Sequence, residues 1–120
     1  MAITLFPTQR LQTEVTLTAS KSISNRALVI HALASGGKME KETLGTVLKN
    51  ISDCDDTRVM VRALTEMPDE IDIMAAGTAM RFLSAYLTVT DGTHTITGTE
   101  RMRHRPIGIL VDALRQLGAQ

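Results

Sequence analysis

The stretch Ser20-Lys21-Ser22-Ile23-Ser24-Asn25-Arg26-Ala27-Leu28-Val29-Ile30-His31-Ala32-Leu33-Ala34, closed by Ser35-Gly36-Gly37, decides how the rest of the chain is read. Serine and asparagine start helices and glycine stops them, so it reads as a polar loop entering a helix over about 23–35. After Arg26 the only titratable side chain is His31, and apolar residues point in nearly every direction. A helix of that kind belongs inside a core. Lys21 and Arg26 stand at its positive end, where the dipole favours a carboxylate, a mismatch of a few tenths to about 1 kcal/mol. A bound anion reverses the sign, because N–H groups, hydroxyls and two cations then point at it together. Lys21, Ser22 and Arg26 are therefore read as an anion-binding helix start. A capped helix with two solvated cations satisfies the same residues, and the stretch alone leaves both open.

Working outward, 120 residues suffice for one domain with a modest core, and 43% hydrophobic with 22% charged residues is ordinary for a globular protein. Aromatic residues make up only 2%, so the core is aliphatic and base-stacking platforms for nucleic acid are lacking. Zero net charge gives no general attraction to nucleic acid or membrane. The single Cys54 excludes an internal disulfide and any multi-cysteine metal site. No segment resembles a signal peptide or reaches membrane-spanning length, which points to the cytoplasm.

Residues 11–19 alternate as a strand does, and Met39 to Leu48 is a weaker strand interrupted by Gly45. A second helix is expected from Ser52, or an aspartate after it, to Met67, with Val59, Met60, Ala63, Leu64 and Met67 as its apolar stripe. Ile71–Met74 reads as a strand leading to a third helix from Thr78 to about Thr90, whose one charge, Arg81, lies in its first turn. His94–Thr97 reads as strand, and Pro106 as the first residue of a fourth helix with Ile107, Leu110, Val111, Leu114 and Leu117 on one face. Asp53, Asp55 and Asp56 are explained by capping and the dipole rather than by a metal.

The order repeats. Arg26-Ala27-Leu28 returns as Arg81-Phe82-Leu83, and Val61-Arg62-Ala63-Leu64 as Val111-Asp112-Ala113-Leu114. Two strand–helix–strand–helix units follow, about 11–67 and 68–120, the second cut short. Parallel packing of the two buried helices would aim Arg26 and Arg81 at one place. Half a domain leaves apolar faces uncovered, so self-association is expected.

Three blocks then carry a resemblance: Ser20–Leu28, Gly77-Thr78-Ala79-Met80-Arg81, and Arg101-Met102-Arg103-His104-Arg105-Pro106-Ile107-Gly108. In this order they resemble the 5-enolpyruvylshikimate-3-phosphate synthases. The resemblance implies an α+β (α/β-like) fold of repeated βαβαββ units with buried parallel helices, here the incomplete N-terminal domain of the enolpyruvyl transferase fold. It also implies transfer of the enolpyruvyl group of phosphoenolpyruvate to shikimate 3-phosphate, without cofactor or metal. Lys21, Ser22 and Arg26 would hold shikimate 3-phosphate, and Lys21, Gly77 and Arg105 phosphoenolpyruvate; Arg81 supports the local field. No catalytic residue carries over, since the family's proton-transfer groups lie beyond Gln120, so the 120 residues are expected to bind without turning over. Where the family has Pro-Gly this chain has Thr18-Ala19, and where it has Asn this chain has Ala75.

Two other readings bear on function. The sister family acting on UDP-N-acetylglucosamine has a reactive cysteine in the loop that here carries Arg101, Arg103 and Arg105, and Cys54 lies elsewhere. A non-catalytic anion-binding or oligomerising module is the alternative of a different class.

Overall fold

The computed structural model describes residues 2–7, 10, 12–37 and 39–120. Among these described residues, six helices and two short strands follow in the order α1 (Lys21–Ala34), α2 (Lys41–Val47), α3 (Asp55–Glu66), β1 (Glu70–Asp72), α4 (Gly77–Leu87), β2 (Thr95–Thr97), α5 (Glu100–Arg103) and α6 (Gly108–Gln116). It is a mixed α/β arrangement in which α1, α3 and α4 pack around Leu28, Met60, Leu64 and Leu83. β1 and β2 pair in parallel, Ile71 opposite Ile96, with α4 as the crossover that parallel strands require.

Helix α1 starts two residues earlier than its sequence suggests. The Ser20 hydroxyl accepts from Ile23 N–H at 3.4 Å and the Ser20 carbonyl from Ser24 N–H at 2.9 Å, which draws Lys21 and Ser22 into the first turn. It is also buried on one face only: Ile23 is 71%, Ile30 67% and Leu33 49% exposed. Its all-round apolar character is not used here, because α3 and α4 cover just the side carrying Leu28 and Ala32.

Three further expectations are corrected. Residues 12–19 form no strand, with Val15 and Leu17 exposed; Leu11 lies outside the described residues. Alternation makes a strand only where an edge offers backbone partners, and β1 and β2 pair with each other. The Met39–Leu48 stretch is helical over α2, pinned by Met39 N–H donating to Leu64 O at 3.2 Å and by buried Leu44. Thr43 and Thr46 satisfy carbonyls three residues back, as threonines in a helix can. Pro106 is not the first residue of α6, which begins at Gly108 with Ile107 as its cap, and Leu117 is 86% exposed.

The remaining elements fall within a few residues of expectation. The stripe of α3 buries Met60, Ala63 and Leu64, and the helix closes on Met67 in the left-handed region at φ 46°. Gly98, between β2 and α5, is required by a close approach, since a Cβ there would lie 2.7 Å from Met74 O.

Tyr86 fastens the far end of α4, donating from its hydroxyl to Gly37 O at 2.5 Å. Burial pushes its phenol above the ordinary value, because the phenolate would lose its water. A raised folded-state pKa means stability intact below the ordinary tyrosine titration near about pH 10 and lost as pH climbs past it. Tyr86→Phe is expected to cost about 1 kcal/mol at neutral pH and to lessen the alkaline loss, read from urea midpoints at both pH values.

Candidate anion-binding site

The first turns of α1 and α4 and the residue two beyond α5 open onto one depression of about 490 Å³. Lys21, Ser22 and Arg26 come from α1, Gly77, Thr78 and Arg81 from α4, and Arg105 from the turn after α5. All six residues singled out in the sequence therefore meet around one hollow. Among the described residues lining it, four are cations and the only carboxylate is Asp56, on the first turn of α3.

Each cation is placed by a different local cause. Lys21 reaches Asp56 at 3.3 Å, a half-exposed pair that orients the ammonium more than it stabilises the fold. Arg26 donates to the Ser22 carbonyl at 2.9 Å and to the Ser22 hydroxyl, and lies 5.5 Å from the centre of the Phe82 ring. Its charge is thus held over an aromatic face that cannot neutralise it. Arg81 is exposed at the rim.

The basic run sorts itself by its acid. Glu100 takes Arg103 at 2.9 Å and stands 3.6 Å from His104 Nδ1, so those two are occupied within the turn. Arg105 instead lies against Gly77, where any Cβ would collide with its guanidinium, 2.8 Å from Cζ. The missing side chain at Gly77 is what lets Arg105 lie across the start of α4. That start has no side-chain cap and no acid in its first turn, leaving its positive end turned to the hollow.

A larger depression of about 620 Å³ shows the contrast. It is lined by Asp69 and Asp91, with no lysine or arginine among its described residues, so its charge is opposite in sign to that of the smaller one. Of the Asp53–Asp56 cluster, Asp55 and Asp56 occupy the first turn of α3, and no group of three His, Cys, Asp or Glu able to hold a metal occurs among the described residues. Burial raises the Cys54 thiol, but hydrogen bonds with Ser52 and Thr57 outweigh it and hold the pKa below its ordinary value. Cys54 lies outside the cationic hollow.

The EPSP synthase family, 3-phosphoshikimate 1-carboxyvinyltransferase, matches the chain as two segments, residues 5–72 and 65–120. The chain belongs to the EPSP synthase family. The 3-phosphoshikimate 1-carboxyvinyltransferase of Bacteroides fragilis strain YCH46 is 63% identical over 110 residues, 92% of this chain and 25% of that relative. The enzymes of that name from Vibrio cholerae serotype O1 strain M66-2 and Sulfurovum sp. strain NBC37-1 are each 41% identical over 145 positions, 99% of this chain and 32% of theirs. The chain thus spans between a quarter and a third of the EPSP synthases it matches. No solved structure matches it. No helix among the described residues is long and apolar enough to cross a membrane.

Asp56, Thr78 and Phe82 line the hollow without having been singled out as site residues. Asp56 was legible as a helix-start acid, and Phe82 directly follows Arg81, but only tertiary packing brings them to Lys21 and Arg26.

Proposed function

We propose that this chain supplies the anion-holding part of a 3-phosphoshikimate 1-carboxyvinyltransferase, which moves the enolpyruvyl group of phosphoenolpyruvate to shikimate 3-phosphate and releases phosphate. In this reading Lys21, Ser22 and Arg26 hold shikimate 3-phosphate, Lys21, Gly77 and Arg105 hold phosphoenolpyruvate, and Arg81 adds to the field. The observation that carries it is the convergence of four cations and the uncapped start of α4 on one hollow with a single acid. Such a cluster suits two substrates that both bear phosphate, and preorganised donors stabilise charge that builds on a departing phosphate. The two-unit organisation, about 11–67 and 68–120, belongs to the same proposal, supported by Arg26 and Arg81 both standing near helix starts at the hollow. Phosphorylated metabolites and a lone unpaired thiol suit the cytoplasm.

Calorimetric titration of phosphoenolpyruvate into the 120-residue chain tests the reading. Binding is expected at low salt, falling as salt rises, and weakened at least about tenfold by Lys21→Ala or Arg26→Ala. Gly77→Ala is expected to leave the melting temperature nearly unchanged yet weaken binding, because the new methyl displaces only the flexible end of Arg105. Binding indifferent to salt and to all three substitutions would sink the proposal.

The exposed Ile23, Ile30 and Leu33 on α1, with Ile109 and Leu117 near α6, support a further part of the reading, that the chain self-associates. Sedimentation equilibrium is expected to give a mass above 13.1 kDa that falls on dilution. A monomer at every concentration would contradict it.

A further inference from the structure

The side of α1 pressed into the protein is polar where it meets α3. Ser24 is buried, and Asn25 has no exposure at all. Ser24 Oγ accepts from Ser52 N–H at 2.9 Å, and Thr57 Oγ1 donates to Asn25 Oδ1 at 2.8 Å. Ser52 and Thr57 are buried in turn. The other end of the Asn25 amide, Nδ2, has no partner.

An orphaned buried donor lowers stability relative to an apolar side chain of the same shape, so packing alone would be served better by leucine. The two contacts supply register instead. Directional bonds to both sides of the α3 start fix the rotation and axial position of α1, whereas apolar surfaces allow sliding. Lys21 stands one turn before Asn25, and Asp56 immediately precedes Thr57. The same lock therefore sets the 3.3 Å approach of Lys21 to Asp56 and the stance of Ser22 and Arg26 at the hollow.

We propose that Asn25 and Thr57 are positioning residues for the cation cluster, holding the first turn of α1 in register on α3 without touching the anion. The proposal rests on the anion-binding reading above. The test compares the 120-residue chain with Asn25→Leu/Thr57→Val and with Thr57→Ser, reading thermal melting, phosphoenolpyruvate affinity and the nuclear Overhauser contact between the Lys21 and Asp56 side chains. The double variant is expected to melt at or above the unmodified chain, yet bind about three- to tenfold more weakly and lose the Lys21–Asp56 contact. Thr57→Ser, which keeps the hydroxyl, should retain both the affinity and the contact. A double variant that binds with unchanged affinity, or that fails to fold, assigns the pair to stability and overturns the proposal. Should the unmodified chain bind no phosphoenolpyruvate, the functional reading fails by itself, and the Lys21–Asp56 contact decides the positioning role: retained in the double variant, it overturns it.

Discussion

Given phosphoenolpyruvate and shikimate 3-phosphate together, the purified 120-residue chain is expected to release no phosphate above background. Enolpyruvyl transfer adds a proton to the methylene carbon of phosphoenolpyruvate while the acceptor hydroxyl loses one, and later removes a proton as phosphate leaves. Each positioned acid or base in such steps contributes about 10²–10⁴-fold. Among the described residues of the hollow, the one carboxylate is Asp56, and Lys21 already holds it at 3.3 Å. Cations and helix starts polarise an anion but accept no proton. Alignment of two substrates in a closed site can add about 7–11 kcal/mol, and this hollow lies open on a surface. A phosphate-release assay with a coupled enzyme checks the expectation. Steady release that depends on shikimate 3-phosphate, and is lost in Lys21→Ala, would overturn it.

Leu64→Ala is expected to destabilise the chain by about 2–5 kcal/mol, a large part of what a domain of this size has. Leu64 is fully buried on α3, and its carbonyl receives Met39 N–H at 3.2 Å, so truncation opens a cavity where the α2 entry is anchored. Helices α1 and α4 both rest on α3, leaving little else to collapse into the space. Urea denaturation followed by circular dichroism gives the value. Val47→Ala, at an exposed position, is the control and should stay within about 0.5 kcal/mol. A change below about 1 kcal/mol for Leu64→Ala would show that the interior rearranges freely.

What was legible in the sequence follows the range of the physics. The existence of α1, the stripe on α3 and the pairing segments around Ile71 and Ile96 are written in neighbours a few residues apart, and these elements lie within a few residues of where the sequence suggests. Strand formation at 12–19 is not a local property, because Val15 and Leu17 alternate correctly yet meet no partner edge. For α2, the anchoring bond comes from Leu64, some twenty-five residues away. At the hollow, Lys21 and Arg26 were readable as charges misplaced against a helix dipole and Arg81 as the one charge of its helix's first turn, whereas Gly77 and Arg105 came from the family resemblance. Asp56 was read as a cap, and its pairing with Lys21 spans 35 residues. The neutral wall made by Phe82 needed the packed α1–α4 pair.

The turn from Met67 to Asp69 has a use in protein engineering. The two segments matched by the family overlap across residues 65–72, and the Vibrio alignment runs over 145 positions against a chain of 120, so that relative accommodates extra residues within the matched region. Met67 holds a left-handed conformation that a methionine adopts only with strain, and longer connections would relieve it. The twelve residues of α3 place this turn roughly 18 Å from the helix start that faces the cations. A fluorescent reporter or affinity peptide spliced between Pro68 and Asp69 would therefore sit at the opposite pole from the hollow, free to signal occupancy without obstructing entry.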